Sequence, residues 1–529
     1  MQARRISFYT YKSGRLTMLL IAPQHHGHHI NRCLLFVLAI HFLIRLAILF
    51  SLNLGVDEAY YVSYGQYPQW SYFDHPPLVG WMVWLTTMKL SETSVFFVRL
   101  GPLVINTIVL VVVYRIGILL KDRKAALIAV CLVAASFYHS VISGVFLLPD
   151  APLVLCWMLG IWAFLSYVKT EQHGFLWLHG SFVGMAMLCK YQSVFLVFGA
   201  AVWLLKYKRN ELLVRGFMPV FVLPALFFLP VLLWNIHHGM ASYDLHSNRV
   251  GNADWDIKWH FLLAEVAGQL FYNNPVVVIV VATVLWRIFR HQRALVMAPY
   301  HFYLLSMSVP LIVLTIALSF FNKTLPHWSG PAYYALILCA VCTGPASGRR
   351  LWKWTRYALA FFLFIAAVGV LHIQTGLLNT GRAHISANQL GSTDFTLDVY
   401  GWPQLRDAFD KLTEADLRNG RIDADYAMIA GNWFPGAQID YYLALSRGRD
   451  LFVYGDIHRQ HQYQYTNSRR GGISARRDAY YLTTSRYFFP PDPSLVRQYA
   501  QVDEAERIPV YRRGEVVYYL YVYRMRASH

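Results

Sequence analysis

The chain has 529 residues, 56% of them hydrophobic and only 14% charged, too apolar for an ordinary soluble protein and typical of one that crosses a membrane many times. Its net charge of +18 sits in the first 376 residues, which hold 28 basic and 12 acidic residues against 19 and 17 in residues 377–529. These basic residues stand in short loops between apolar runs, the positive-inside pattern, whereas a nucleic-acid binder would gather them on a soluble face; nucleic acid is therefore not an expected partner.

Residues 1–32 are polar and basic, with Arg4, Arg5, Lys12 and Arg15, and read as a cytoplasmic tail without a cleavable signal. The HHGHH at 25–29 reads as part of that tail rather than as a metal site. Apolar runs long enough to span a bilayer then recur. The first, about 33–54, delivers Asp57 to the outer side. The second, about 95–120, ends at the inner KDRK, 121–124. The third and fourth, about 125–146 and 152–168, flank the outer LLPDAP. The long run 175–205 contains a single Lys190, and two short spans with that lysine at the outer turn keep Lys169 and KYKRNELLVR, 206–215, both inside. Five more runs, near 216–234, 272–289, 299–321, 330–346 and 357–376, bring the total to about eleven spans and leave the last 150 or so residues outside. That C-terminal part has another pattern. GWPQLRDAFDKL (401–412) reads as an amphipathic helix, DYAMIAG and DLFVYGD as short buried strands around a helix near 436–447, and EVVYYLYVYRM as a closing strand. The expected architecture is an α-helical polytopic membrane protein, 33–376, with the outer loop 55–94, followed by an outer α/β domain, 377–529. All six cysteines lie in or beside apolar runs; none falls in the C-terminal part, so no disulfide framework is expected there, and without a CxxC pair they say nothing about metals.

With this threading the unusual polar residues converge on one side: Asp57, Glu58, Asp74, His75, Asp150, Lys190, His237, His238, Asp244, Arg249, Lys323 and His327. Ionisable groups at a membrane boundary are costly unless paired or hydrated, which makes them functional candidates, although a carboxylate just past a span end can also be solvated or cap a helix. Asp57 and Glu58 point in different directions from a helix start, so both cannot cap, and one remains to accept a proton or bind a sugar hydroxyl. The tyrosines and tryptophans of YPQWSYFDHPPLVGW, 67–81, serve as interfacial anchors, a sugar platform, or both. Asp150 stands between two prolines that stop helices. Lys190, a cation at an outer mouth, runs against the topological rule and suggests an anionic ligand such as a lipid phosphate. The spacing of the His, Asp and Arg in WNIHHGMASYDLHSNR, 234–249, does not define a metal site; no cofactor is implied, and a divalent cation stays open.

DEAYY…YFDHPPL, PDAP, CKY, WN…HG…S…R and LPHW…AY, in that order, resemble the motifs of bacterial membrane glycosyltransferases in the protein O-mannosyltransferase and aminoarabinose-transferase (ArnT-like) superfamily, over roughly residues 33–376. AGNWFPGAQIDYYL, 430–443, resembles that family's C-terminal domain more loosely. The resemblance implies the C-type glycosyltransferase fold, a bacterial inner membrane, a periplasmic site and C-terminal domain, and a sugar donor carried on a polyprenyl phosphate. It implies an acceptor among envelope glycans, lipid A or lipopolysaccharide, and protein hydroxyls. By the same resemblance Asp57 is the catalytic base or its companion, with Glu58 beside it. Lys190, in CKY with Tyr191, matches a lysine that contacts the phosphate, and Arg249 is a second contact; Asp74, Asp150 and His327 complete the substrate-binding set. His75 stands where aminoarabinose transferases carry a lysine, so phosphate handling there differs. Direct displacement with inversion is expected. A lipid or sugar transporter is the rival reading, and it predicts internal repeats and a midplane site, neither of which the sequence displays; a non-catalytic binding module is a further alternative.

Overall fold

The computed structural model describes residues 27–209, 215–251, 256–291, 298–343, 348–378 and 386–527. Of the tail read from residues 1–32, residues 1–26 lie outside them, and 27–32 fall in the first helix. The first helix, α1, covers Gly27–Ser51; a short, mostly buried helix α2, Val56–Gln66, and α3, Leu78–Thr86, form a hairpin before the long α4, Val95–Leu120. Then come α5, Arg123–Ala134; α6, Asp150–Thr170; α7, Gly174–Met187; α8, Val194–Tyr207; α9, Pro219–His237; and α10, Ala241–Gly251. The helical part closes with α11, Trp259–Tyr272; α12, Pro275–His291; α13, Pro299–Ser319; α14, Gly330–Thr343; and α15, Gly348–Thr375.

Among the described residues six helices are long and apolar enough to cross a membrane, within α1, α4, α6, α9, α13 and α15, or seven if α11 and α12, bent by 96°, make one span. Other apolar runs form shorter or broken helices. The third run stops being α-helical after Ala134 and continues as one π turn, Tyr138–Ile142. There the hydroxyls of Ser136, Ser140 and Ser143 donate to the carbonyls of Tyr272, Ala134 and Tyr138, and such side-chain bonds compete with the helix ladder. The run 175–205 does form two helices, α7 and α8, of 14 residues each. Each is about 21 Å long at 1.5 Å per residue, short of a hydrocarbon core about 30 Å thick. Between them Lys190 is extended.

The α2–α3 hairpin is fixed to the bundle by one buried cation. Arg99 of α4 has no exposed surface. Its Nε and Nη2 donate to Glu58 Oε1 and Oε2 at 2.8 and 2.6 Å; Nη1 donates to the carbonyls of Leu49 and Leu52, and Nη2 to that of Asn53. These are all five guanidinium donors, and they satisfy carbonyls that the end of α1 leaves open. Glu58 also accepts from the backbone N–H groups of Gly55 and Leu147. One ion pair thus joins the end of α1, the start of α2, α4 and the loop before α6.

Residues after α15 build a six-stranded sheet in the order β2-β1-β3-β6-β4, with β5 also on β6. The strands are β1 Ala427–Ala430, β2 Leu451–Val453, β3 Ala479–Thr484, β4 Gln501–Val502, β5 Glu506–Arg512 and β6 Glu515–Arg526. β1 runs parallel to β2 and β3, and β3 antiparallel to β6, with Tyr481 opposite Tyr523. The amphipathic helix falls at Trp402–Arg418, and β1, β2 and β6 fall where the apolar segments predict strands; β3, β4 and β5 are not legible in that reading. This sheet does not stand apart. Tyr60, Tyr64, Val79 and Val83 of the hairpin share one apolar cluster with Leu405, Met428, Tyr480 and Val522. Gly80 lies so close to Tyr72 that a Cβ would come within 2.5 Å of its hydroxyl, so the α2–α3 turn packs at backbone contact.

Arg99→Lys keeps the charge but loses the fork that grips both carboxylate oxygens. It is expected to destabilise the protein by about 3 kcal/mol, read as a fall in the melting temperature of the detergent-solubilised protein.

Candidate active site

Glu58 turns inward to Arg99, and the neighbouring Asp57, in the first turn of α2, is exposed. The two adjacent acids therefore divide as the helix geometry requires. The carboxylate of Glu58 is filled by Arg99 and two backbone donors, which makes it an anchor. The bond from Leu147 N to Glu58 brings the helix bearing Asp57 against the loop that carries Asp150 three residues later.

Asp150, 1% exposed at the start of α6, accepts from Lys190 Nζ at 2.7 Å and from the Tyr138 hydroxyl at 2.9 Å. The break between α7 and α8 is what turns Lys190 toward it, because an extended residue points its side chain out of the helix path. Tyr138 is pressed against the start of α14, where a Cβ at Gly330 would meet its ring at about 2.4 Å. His327 lies in the turn just before that helix, within electrostatic reach of Lys190 and Asp150.

A second cluster centres on Asp74, 7% exposed. One oxygen accepts from the Tyr60 hydroxyl and, at 3.4 Å, from that of Tyr64. The other lies 3.0 Å from His461 Nδ1, which carries the proton because a carboxylate only accepts. Burial alone would raise the Asp74 carboxyl, but the hydrogen bond and charge of His461 and the bond from Tyr60 hold it below its ordinary value. The Asp74 carbonyl accepts from His246 Nε2 at 3.0 Å, and the Tyr72 carbonyl from Ser242, so α10 clamps this loop.

His75 connects the clusters. Leu78 N donates to the carbonyl of Leu188, which brings the loop that carries His75 beside the turn that carries Lys190. Burial, and then the Lys190 ammonium, push the His75 imidazole down to about 3, and His327 to about 4. Both are neutral at pH 7. Tyr191 lies edge-on to His246 with ring centroids 5.2 Å apart. Arg249 belongs to α10, but its side chain lies outside the described residues. His237, Asp244 and Lys323 are exposed, and His238 stacks on Trp234 and bonds its carbonyl; the structure does not bring these four into either cluster. Among the described residues no three His, Cys, Asp or Glu side chains gather to hold a metal ion. Sequence reasoning missed Arg99, Tyr138, Tyr60, His246 and His461. Arg99 was signalled as a charge inside an apolar run, and Tyr60 and His246 lie in the motifs DEAYY and WNIHHGMASYDLHSNR.

A family model described as dolichyl-phosphate-mannose-protein mannosyltransferase matches residues 74–234, the stretch that carries Asp74, His75, Asp150, Lys190 and Tyr191. The structure of ArnT from Cupriavidus metallidurans bound to undecaprenyl phosphate superposes with a TM-score of 0.62 at 15% identity, over 93% of this chain and 98% of that one. The chain has the ArnT-like GT-C fold. The apo form of the same ArnT gives a TM-score of 0.59 at 13% identity, over 93% and 98% of the two chains. Among curated relatives, lipid A galacturonosyltransferase RgtD of Rhizobium johnstonii is 24% identical over 292 residues, 54% of this chain and 59% of that protein. The match thus spans about three fifths of that relative's length. The likeness to ArnT over nearly the whole of both chains extends the GT-C architecture through the C-terminal sheet.

Lys190→Ala would leave a buried Asp150 carboxylate without its cation and is expected to cost about 3–5 kcal/mol. Lys190→Met combined with Asp150→Leu recovers much of that in a thermal melt, because paired apolar residues replace the ions. For His75 and His327 the folded-state values lie below the unfolded value near 6.5. The unfolded chain therefore binds more protons between about pH 4 and 6.5, and stability falls as pH drops through that window. His75→Asn flattens that decline in melting temperature, measured from pH 7 to 5.

Proposed function

We propose that the protein is an inverting membrane glycosyltransferase. It moves a sugar from a polyprenyl-phosphate donor to an envelope glycan, to lipid A or lipopolysaccharide, or to a protein hydroxyl, at the periplasmic face of a bacterial inner membrane. The observation that carries this reading is the Asp150–Lys190 pair at the break between two short helices, flanked by two neutral imidazoles, in a fold shared with an ArnT bound to undecaprenyl phosphate.

Lys190 is a cation inside a largely dry cluster, already aligned by Asp150. A donor phosphate docking beside it gains a charge-assisted hydrogen bond, and the negative charge that grows on the leaving phosphate during transfer meets that ammonium. His75 and His327, being neutral, add hydrogen bonds without charge, and Arg249 is the second cation of the phosphate site. The exposed carboxylate of Asp57 takes the proton of the acceptor hydroxyl. The acceptor oxygen then forms its bond to the anomeric carbon as the bond to the phosphate oxygen breaks, and polyprenyl phosphate departs as the anion. A lipid phosphate leaves readily, so no strong acid is required. Glu58 takes no part in the proton transfer; with Arg99 it fixes the helix that presents Asp57.

Purified protein in liposomes, supplied with defined polyprenyl-phosphate sugars and bacterial envelope acceptors, tests this. Asp57→Asn is expected to lower transfer by at least about a hundredfold, the range for a general base, while donor binding persists. Transfer undiminished in that variant, or movement of lipid-linked sugar across the bilayer without transfer, would contradict the reading.

A further inference from the structure

The C-terminal domain meets the Asp74 loop through residues 461–470 and Trp433. The backbone N–H of Gln462 donates to the Tyr60 hydroxyl, and the Gln462 side chain accepts from Phe73 N. Trp433 lies 4.7 Å from the Tyr60 ring and 4.8 Å from that of His461. The latch is completed farther out by Arg470, which donates to Gln66. Within this latch His461 stands in an unusual conformation, φ 49° and ψ −130°, a backbone region that favours glycine. Such strain persists only where the surroundings over-determine it, and it clusters at functional positions. Its Nδ1 is bound to Asp74, and its side chain remains about 10% exposed.

We infer that His461 is a positioning residue of the transfer site: by donating from Nδ1 to Asp74 it sets the Asp74–His75 segment that faces Lys190, so the C-terminal domain completes the site rather than merely covering it. The inference rests on the glycosyltransferase reading. Three observations separate it from a plain docking contact. Docking is already served by Gln462, Trp433 and Arg470 without a histidine. The Asp74 oxygen opposite the one His461 holds is occupied by Tyr60 and Tyr64, so both oxygens, and with them the carboxylate plane, are fixed. His75, the next residue, lies within electrostatic reach of Lys190 and Asp150. A small rotation of Asp74 would therefore be transmitted directly to the phosphate site.

Asparagine and glutamine separate the roles of the two ring nitrogens, since an Asn amide lies near the Nδ1 position and a Gln amide near Nε2. Sugar transfer in liposomes is measured for wild type, His461→Asn, His461→Gln and His461→Ala, with melting temperature recorded for each. Hydrogen exchange of residues 71–77 is followed without substrate. His461→Ala and His461→Gln are expected to lose about tenfold or more in kcat/KM, the scale of one hydrogen bond to a charged group, and to exchange faster at 71–77. His461→Asn is expected to retain transfer and slow exchange, with a melting temperature close to that of His461→Gln. Equal activity of the Gln and Asn variants, losses that simply follow melting temperature, or unchanged exchange in His461→Ala would overturn the inference. If wild type transfers no sugar from any polyprenyl-phosphate donor, the functional reading fails, and the exchange data still decide whether His461 sets the loop.

Discussion

The structure depends on a guanidinium with every donor engaged. Arg99 lies within an apolar helix, where an unpaired cation would be prohibitive, and its five hydrogen bonds are made to the end of one helix and the start of another. Because Glu58 also receives the Leu147 N–H, the same hub sets the loop that leads into Asp150. The position of the candidate base, Asp57, and that of the candidate phosphate cation, Lys190, thus descend from one buried ion pair through short chains of bonded atoms.

The polar residues form two clusters with different electrostatics. Around Asp150 the pair with Lys190 sums to zero, and the nearby imidazoles are held neutral. An incoming phosphate therefore meets a cation that is organised yet not cancelled by further acids. Around Asp74 the carboxylate is saturated by two tyrosines and a histidine, which suits a residue that holds a loop rather than one that takes up protons. The two are joined by the peptide bond between Asp74 and His75, so rigidity in one cluster becomes geometry in the other.

Much of this was legible in the sequence where a residue broke a local rule. Lys190 stood alone in an apolar run, and the structure breaks the helix there. The two neighbouring acids at 57 and 58 could not both cap the helix, and they point apart. Asp150 between prolines sits at the entry of α6. What was not legible is pairing over long separations. Nothing in the sequence near Asp74 announces His461, 387 positions away, and nothing near Asp150 announces Tyr138 as its second donor. The apolar runs were legible by length, but the serines that bond backbone carbonyls after α5 and the 96° bend between α11 and α12 were not. In the C-terminal sheet the fully buried β1 and β2 are legible as apolar runs, whereas β3, also buried throughout, is not.

The central claim is that a lipid phosphate docks where Lys190 is held by Asp150, across from Asp57. An experimental structure of the protein in lipid with undecaprenyl phosphate bound tests it most directly. The account requires the phosphate within hydrogen-bonding distance of Lys190 Nζ and the Asp57 carboxylate lining the same space. A phosphate seated elsewhere with the Lys190–Asp150 pair undisturbed, or packed helices between Asp57 and Lys190, would contradict it.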